Sequence, residues 1–499
     1  MTFHALTPTQ GTDLEKMVFF DQGTQVLYVS KNNAFEAPVR SYMQLLNEKS
    51  IRYEVQSVAM DVIHQKRLLN DNAKSEVMGR SDMQRAATEI FKVAVERRAS
   101  DIHIRVASKS HTKIIFRVHG DLELYEEHPA SWGKLLCSAI YTGMSDISDA
   151  TFEELSRQDA RISVRENLSP GLDGIRIATT PQVDGLVMVL RLLYNDEGKS
   201  IDICDYGYTR DQQDLIDQMR SKPTGINIIS GPTGSGKSTT LRCTLLTIHK
   251  ECHGTKNIMT VEDPPEYSMP GIVQTPVANA KTEQERSAAF QEAIKATMRL
   301  DPNVIMIGEM RDTPSASLGM QAAMTGHQVW TSVHANNAFS VIDRMVDLGI
   351  SSNVMTDDAI ITGIICQRLI KVLCPSCKRP LASVLERYAK DDLERVMKAV
   401  DVSSAHVIGD GCPECRGRGI SGMTAAAEVV VPDEPMMDLI RSGQKARAIE
   451  YWRGRGGRTM REMAIDKIND GLCDPFKVEE EIGPLSDMTL TFAGDGNDS

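Results

Sequence analysis

Residues 225–240 read GINIISGPTGSGKSTT, and this stretch decides the class of fold. The first six residues are apolar enough for a buried strand, and the residues that follow Lys237 have helical spacing without a breaker. Between them lies a glycine-rich loop with the pattern Gly, four residues, Gly-Lys-Ser. A strand, a glycine loop and a helix together let backbone N–H groups and a helix N-terminus surround phosphates. We therefore predict a nucleotide phosphate site here rather than a chance glycine-rich turn.

The loop itself supplies the candidate nucleotide contacts. Lys237 is expected to neutralise the β- and γ-phosphates, and the Ser238 hydroxyl is expected to hold Mg²⁺. The full set of predicted contacts is Gly231, Pro232, Thr233, Gly234, Ser235, Gly236, Lys237, Ser238 and Thr239.

Two later apolar runs end in carboxylates. IMTVEDPPEY (258–267) reaches Glu262-Asp263, and VIMIG (304–308) is followed by Glu309. Open α/β sheets bind ligands at the carboxyl ends of their strands, so both carboxylates are candidates for the same site. Glu309 is expected to orient and polarise the attacking water. Taken alone, the Glu262 stretch would also suit a solvated acidic turn.

Histidines and arginines complete the candidates around the nucleotide. His327 and His334 flank the apolar strand QVWTSV, and period-2 counting points them to opposite faces, so they need not share a ligand. Structural roles are as plausible for them as catalytic ones. Arg117, Arg176 and Arg191 lie in strands of the preceding domain. An arginine from another domain or subunit often stabilises phosphoryl transfer, but each of these also suits a surface salt bridge.

Two C-x2-C pairs, CPSC and CPEC, predict a metal site. Zn²⁺ prefers four soft ligands in a tetrahedron, and each tight turn provides two thiolates. The 34 residues between the pairs require a small subdomain there. A redox dithiol and unused thiols are the alternatives. The predicted ligands of a structural zinc are Cys374, Cys377, Cys412 and Cys415.

Composition limits the classes of function. The length of 499 residues suggests about three domains. The net charge of −12 argues against a dominant nucleic-acid surface. No apolar segment approaches the ~18 residues that span a bilayer, and the start lacks a secretory pattern. We expect a cytoplasmic protein that reaches a membrane only through a partner.

The order of patterned segments predicts a mixed α/β chain with several domains. Residues 1–80 are expected to form a small α/β domain that binds a partner, and residues 81–200 a second α/β domain. Strands alternating with helices in residues 205–370 predict a parallel sheet. Residues 371–486 hold the cysteine pairs and helices, and residues 487–499 are expected to be a disordered tail.

These motifs occur in the order and approximate spacing of the secretion ATPase superfamily. GPTGSGKSTT, TVEDPPEY, LDPNVIMIGEMRD, TGHQVWTSVHANNA and CQRLIKVLCPSC all follow that pattern. The chain resembles a type II secretion or type IV pilus assembly ATPase over about residues 80–485. SDIHIRV, FRVHGDL, RQDARI and VMVLRLL resemble the domain that precedes the motor core in that family.

The resemblance implies a fold, a mechanism and partners. It implies a PAS-like domain before a RecA-like ATPase core, with ATP between them. It further implies a cytoplasmic homo-hexamer, docked on an inner-membrane platform protein, that hydrolyses ATP to drive pilus assembly or type II-like secretion. The cofactors would be ATP, Mg²⁺ and structural Zn²⁺, and the tetracysteine favours assembly over retraction. The implied catalytic residues are Lys237, Glu262 of the Asp box, Glu309, His327 and His334 of the His box, Arg117 and Arg191.

The sequence departs from the family at several positions. Ser238 replaces the usual Thr, and Ile115 and His119 stand where an Arg and an Asp are usual. QDARI replaces QDGRI, and the His box lacks the common leucine-rich form. Together with the short N-terminal region, these features resemble type IVb pilus systems, including conjugative ones.

Two other classes of function remain open at this point. A RecA-like core also suits a nucleic-acid motor related to conjugation, although the acidic charge and the 5% aromatic content argue against one. A scaffold that binds nucleotide without hydrolysis is the other alternative, and the presence of Lys237, Glu262 and Glu309 argues against it.

Overall fold

The computed structural model describes residues 14, 17–21, 24–48, 51–63, 66, 80–108, 110–146, 151–195, 198–277 and 282–486. The predicted tail at 487–499 lies outside these residues. The chain divides into two compact units, residues 1–195 and residues 196–499.

The first unit begins with a small sheet whose strands are ordered β1-β2-β3. Its elements are β1 (Val18–Asp21), β2 (Val26–Ser30), α1 (Ala37–Glu48) and β3 (Glu54–Val58). β1 and β2 are antiparallel, whereas β2 and β3 are parallel. Apolar side chains of β1, β2 and α1 form one buried cluster, so the helix covers the sheet. β2 has the sequence VLYVS and α1 has the sequence APVRSYMQLLNE, so strands and a helix combine in this part of the chain.

A six-stranded antiparallel sheet follows in the same unit, in the order β6-β5-β4-β9-β8-β7. Alternate residues of its strands pack against two helices on one face, which leaves the other face for polar side chains. Its elements are α2 (Arg80–Glu96), β4 (Ala99–Ala107), β5 (His111–Val118), β6 (Asp121–Pro129), α3 (Ala130–Ala139), β7 (Gln158–Ile162), β8 (Leu172–Gln182) and β9 (Gly185–Tyr194).

The second unit contains a seven-stranded sheet in the order β12-β11-β13-β14-β10-β15-β18. The first six strands in that order are parallel, and β18 is antiparallel to β15. Its strands are β10 (Gly225–Ser230), β11 (Ile258–Glu262), β12 (Val273–Pro276), β13 (Val304–Ile307), β14 (Gln328–Val333), β15 (Ile361–Leu373) and β18 (Ile420–Val430), while β16 (Arg379–Pro380) and β17 (His406–Val407) form a separate pair.

Helices cover both faces of this sheet. They are α4 (Arg210–Ser221), α5 (Lys237–Glu251), α6 (Glu283–Thr297), α7 (Thr313–Met324), α8 (Ser340–Asp347), α9 (Ser352–Met355), α10 (Lys390–Met397), α11 (Glu434–Arg441), α12 (Lys445–Gly454), α13 (Met460–Asn469) and α14 (Pro475–Ile482). Every residue of β10 is buried. Its consecutive residues Ile228 and Ile229 point to opposite faces of the sheet and belong to different core clusters. A strand buried on both faces reads as a continuous apolar run, which is the pattern that predicted it.

The prediction of a mixed α/β chain with a parallel sheet is confirmed. The antiparallel strand β18 was not predicted, and it comes from the region assigned to the cysteine subdomain. The predicted boundary at residue 370 falls within β15, so the regions on either side of it share one sheet. The PAS-like and RecA-like domain assignments stay predictions. None of the helices within the described ranges is both long enough and apolar enough to cross a bilayer.

Candidate functional site

The glycine loop joins the carboxyl end of β10 to the first residue of α5. Gly231, Gly234 and Gly236 have φ angles of 146°, 80° and 86°, a region that side chains disfavour. A Cβ on Gly231 would also lie 2.3 Å from the carbonyl oxygen of Gln367. The loop therefore needs glycine both for its backbone angles and for its close approach to β15.

Lys237 folds back over this loop. Its Nζ donates to the carbonyl oxygens of Gly231, at 2.8 Å, and Pro232, at 3.0 Å. Burial lowers the pKa of Lys237, while the nearby carboxylates of Glu309 and Glu266 oppose that shift. An ammonium group held inside a loop of turned-in backbone is a suitable counter-charge for an anionic ligand.

Glu309 lies at the same edge, in the turn after β13. Ser332 of β14 holds this turn, since its Oγ donates to the Gly308 carbonyl at 2.7 Å and its own carbonyl accepts from Met310 N at 3.0 Å. The Oε2 atom of Glu309 accepts from Arg311 Nε at 2.8 Å, and Oε1 contacts the imidazole of His334. The carboxylate is therefore fixed at both oxygens.

His334 connects Glu309 to the glycine loop. Its Nε2 lies 2.9 Å from Glu309 Oε1, and its Nδ1 lies 3.0 Å from the Gly231 carbonyl oxygen. A carbonyl and an ionised carboxylate only accept, so both contacts are hydrogen bonds when the imidazole carries two protons. The residue stands directly after β14, at the carboxyl edge of the sheet.

Glu262 is the last residue of β11, at this same edge. Its Oε1 accepts from Thr260 Oγ1 at 2.7 Å and from Gln274 Nε2 at 3.0 Å. Burial raises the pKa of Glu262 despite these donors. A buried carboxyl group with a shifted pKa at a ligand-binding edge is a candidate functional group. The alternative prediction for this stretch, a solvated acidic turn, does not fit the burial of Glu262.

His327 lies at the opposite end of β14 from His334. It stands just before the strand, and its Nδ1 lies 3.0 Å from the Ala322 carbonyl oxygen. The two histidines therefore do not meet within the chain, in line with the expectation that they need not share a ligand. A catalytic role for His327 stays a prediction.

Ser238 and Thr239 lie in the first turn of α5, beside the loop. Both are partly buried, and Thr239 Oγ1 lies 3.1 Å from the hydroxyl of Tyr267. Pro232, Thr233 and Gly234 form the exposed part of the loop, and the Pro232 carbonyl also accepts from Ser235 N at 3.3 Å.

The predicted arginines lie on the polar face of the six-stranded sheet in the first unit. Cross-strand pairing there aligns five residues in one row, in the order Arg161, Arg176, Arg191, Asp101 and Arg117. Buried Asp101 accepts from Arg191 Nε at 3.0 Å and lies 3.9 Å from Arg117 Nε. Arg117 also donates to the Gly120 carbonyl at 2.7 Å. The contact of Arg117 and Arg191 with phosphate stays a prediction.

The cysteine pairs meet as predicted. The ligand atoms of Cys374, Cys377, Cys412 and Cys415 all lie within 4.8 Å of one another. Three of the Sγ–Sγ distances are 3.7, 3.8 and 3.7 Å. Four sulfurs at a Zn–S distance of about 2.3 Å stand about 3.8 Å apart in a tetrahedron, so the donor set fits zinc.

Backbone donors around Cys415 favour its thiolate form. Its Sγ accepts from Cys412 N at 3.2 Å and from Gly419 N at 3.1 Å. Burial opposes ionisation, but these donors, together with hydrogen bonds from the side chains of Cys412 and Cys377, outweigh burial and lower the pKa of Cys415 to about 6. The thiolate is the form that binds a metal.

Two residues near the loop were not assigned roles from the sequence. Arg311 contacts Glu309, and the buried side chain of Gln367 contacts the loop from β15. Gln367 directly follows the apolar run GIIC (363–366), and a polar residue at that point of a buried strand was a signal available in the sequence.

Comparison with known proteins gives the family. A family model described as type II/IV secretion system protein matches residues 76–482. The chain belongs to this family. It is 35% identical over 390 residues to type II secretion system protein E of Pseudomonas aeruginosa. The aligned residues make up 78% of this chain and 73% of that protein. It is 32% identical over 379 residues to type II secretion system ATPase E of Vibrio cholerae, and these residues make up 76% of this chain and 71% of that protein.

Solved structures agree on the fold of this secretion ATPase. The pilus retraction motor PilT has a TM-score of 0.53 and 23% identity, covering 81% of this chain and 97% of its own. The ATPase DotB of Yersinia pseudotuberculosis has a TM-score of 0.56 and 20% identity, covering 82% and 95%. The protein is thus an ATP-binding ATPase of the type II/IV secretion family, as its motifs predicted.

Proposed function

We propose that this secretion ATPase binds and hydrolyses ATP at the glycine loop, with Glu309 orienting the attacking water. The observation that carries the proposal is the contact chain from Glu309 through His334 to Gly231. It links the candidate water-positioning carboxylate to the candidate phosphate loop. A carboxylate that is linked to a phosphate cradle through a single imidazole suits the positioning of water for in-line attack.

The remaining residues have distinct roles in this proposal. Lys237 neutralises phosphate charge, and the backbone N–H groups of residues 233–239 surround the phosphates. Mg²⁺, when bound at Ser238, would supply further charge neutralisation to the β- and γ-phosphates. Glu262 supports the site at the end of the neighbouring strand. Arg117 and Arg191 are candidates for stabilising charge in the transition state.

The tetracysteine cluster is proposed to bind one structural Zn²⁺. Four protein ligands fill a tetrahedral site, so no position is open for catalysis. The sulfur spacing supports this proposal, as do the two N–H donors at Cys415. Zinc would join the two cysteine turns, which are far apart in the sequence.

We further propose that the protein acts as a homo-hexamer at the cytoplasmic side of an inner membrane, on a platform protein. Its work would be pilus assembly or type II-like secretion, because the relatives named above are type II secretion proteins. The tetracysteine favours the assembly direction. The small sheet of the first unit is the proposed partner-binding domain.

The test compares Lys237→Ala with Lys250→Ala, an exposed lysine on the same helix. Lys237→Ala should reduce ATP hydrolysis by about 100-fold or more with an unchanged circular dichroism spectrum, while Lys250→Ala should hydrolyse normally. Normal turnover in Lys237→Ala would refute the site.

Light scattering of the wild type should give the mass of six chains. Strong stimulation by DNA, with steep salt dependence, would instead indicate a nucleic-acid motor.

A further inference from the structure

Gln367 lies behind the glycine loop, on β15. The residue is 1% exposed, and its side-chain amide has three partners. Nε2 donates to the Ser235 carbonyl at 2.7 Å, while Oε1 accepts from Tyr208 Oη at 2.6 Å and from Thr240 Oγ1 at 2.9 Å. The amide therefore joins the loop, the first turns of α5 and the segment before α4.

The chemistry of these partners fixes the amide in one orientation. A backbone carbonyl only accepts, so the group that faces Ser235 must be the NH₂. The opposite side faces two hydroxyls, which donate to Oε1. Burial raises the pKa of Tyr208, so its hydroxyl stays protonated and remains a donor at neutral pH. A flipped amide would place two oxygens against each other in a buried position.

The Ser235 carbonyl in turn sets the direction of the next N–H group. In a planar trans peptide, the C=O of one residue and the N–H of the following residue point in opposite directions. Because the Ser235 carbonyl points back to Gln367, the Gly236 N–H points away from β15. A Cβ on Gly236 would lie 3.1 Å from Gln367 Nε2, so the fit behind the loop is close.

We propose that Gln367 is a positioning residue that holds the Ser235–Gly236 peptide so that the Gly236 N–H faces the nucleotide phosphates. The proposal rests on the proposed ATP site at the glycine loop. Without the amide donor, the carbonyl of this peptide loses the hydrogen bond that fixes its direction, and the peptide can rotate. One N–H donor is then lost from the phosphate cradle, although the glycine sequence of the loop is intact.

Gln367→Glu tests this role because the side chain keeps its shape while its donor depends on pH. A carboxylate cannot donate to the Ser235 carbonyl, but a protonated carboxyl group can. We expect MgADP to bind about tenfold or more weakly than to wild type at pH 8, as befits the loss of a hydrogen bond to a charged ligand. The ratio of the two affinities should approach one as the pH falls to about 5.5. Gln367→Leu should bind weakly at every pH.

Gln328→Glu is the matched control. Gln328 is also 1% exposed, and its Nε2 donates to the carbonyls of Arg220, at 3.0 Å, and Lys222, at 2.5 Å, away from the loop. This variant should lose thermal stability as Gln367→Glu does, but its MgADP affinity should equal that of wild type at both pH values. A merely structural role for Gln367 would make the two variants behave alike.

The outcomes separate this inference from the proposed function. Wild-type affinity of Gln367→Glu and Gln367→Leu at pH 8, beside loss of binding in Lys237→Ala, would overturn the role of Gln367 alone. Retained MgADP binding in Lys237→Ala would overturn the proposed site. If Gln367→Glu unfolds at pH 8, Gln367→Leu and the titration of Gln367→Glu from pH 5.5 upward still decide. A weakened affinity at pH 5.5 equal to that at pH 8 would contradict the donor argument.

Discussion

His334→Ala removes the contact between the imidazole and Glu309, together with the contact between the imidazole and the Gly231 carbonyl, and leaves the sequence of the phosphate loop unchanged. The contact between His334 Nε2 and Glu309 Oε1 is 2.9 Å long, and hydrogen bonds to charged groups contribute about 1.5–3 kcal/mol. The imidazole side chain is 47% exposed, so solvent screening places the value at the lower end, about 1.5 kcal/mol. If the contact orients Glu309 toward water in the transition state, kcat should fall about tenfold.

Steady-state ATP hydrolysis and MgADP binding together test this expectation. kcat should fall while the MgADP affinity stays within roughly twofold of wild type, since the loop keeps Lys237 and its N–H donors and loses only a contact at the Gly231 carbonyl. His128→Ala is the matched control, because His128 Nε2 makes a similar 2.8 Å contact with Glu126 Oε2 outside the site. An unchanged kcat in His334→Ala, or an equal loss in His128→Ala, would refute the positioning role.

Three further changes have defined outcomes. Purified protein should hold about one zinc per chain, and removing it with a chelator should lower the melting temperature. Glu428→Gln should lower the free energy of unfolding by about 1–3 kcal/mol in urea, because buried Glu428 accepts from Ala338 N and Met460 N and an amide can accept only one of them. Asp312→Ala should cost about 1 kcal/mol at pH 7, since Asp312 caps α7 at Ser315 N.

The Asp312 prediction also has a pH dependence. Burial opposes ionisation, but hydrogen bonds from Ser287 and Ser315 outweigh it and lower the pKa of Asp312. A lowered pKa in the folded state stabilises the protein above the unfolded value, about 3.9, and this stabilisation is lost as the pH falls below it. The difference between wild type and Asp312→Ala should therefore shrink in acid. A difference that does not change with pH would contradict this reasoning.

Controls and contradictory outcomes distinguish the other two changes. Exposed Glu450→Gln should change the free energy of unfolding by less than about 0.5 kcal/mol, so an equal effect at Glu428 would remove the argument from burial. Cys252→Ser should keep the zinc content of wild type. Absence of zinc together with four freely titratable thiols in Cys374, Cys377, Cys412 and Cys415 would contradict the metal site.

The nucleotide edge could be predicted because its signals are local. The glycine pattern sets the loop, and each of Glu262 and Glu309 follows an apolar run that had to be a buried strand. Parallel strands end at the same edge, so topology alone brings these carboxylates near the loop. The direction of β14 also separates the two histidines, since His334 follows the strand at its carboxyl end and His327 precedes it. Period-2 counting compares only the faces of a strand, so it did not predict which histidine lies at the nucleotide edge.

The contacts that fix the site come from distant parts of the chain. Gln367 lies 132 residues from Ser235 and 159 from Tyr208, and no local pattern indicates which partners meet. The edge strand β18 was missed because the alanines, Met and Glu of GMTAAAE favour helix over strand. Its place is decided by pairing with β15 rather than by intrinsic propensity.

Steady-state ATP hydrolysis by wild type beside Glu309→Gln, each with and without single-stranded and duplex DNA, tests the central claim most directly. The amide keeps the shape of Glu309 but cannot polarise water as a carboxylate does. We predict that wild type hydrolyses ATP, that Glu309→Gln binds MgATP but turns it over at least about 100-fold more slowly, and that DNA changes neither rate. Full turnover by Glu309→Gln, or hydrolysis that requires DNA, would contradict the account.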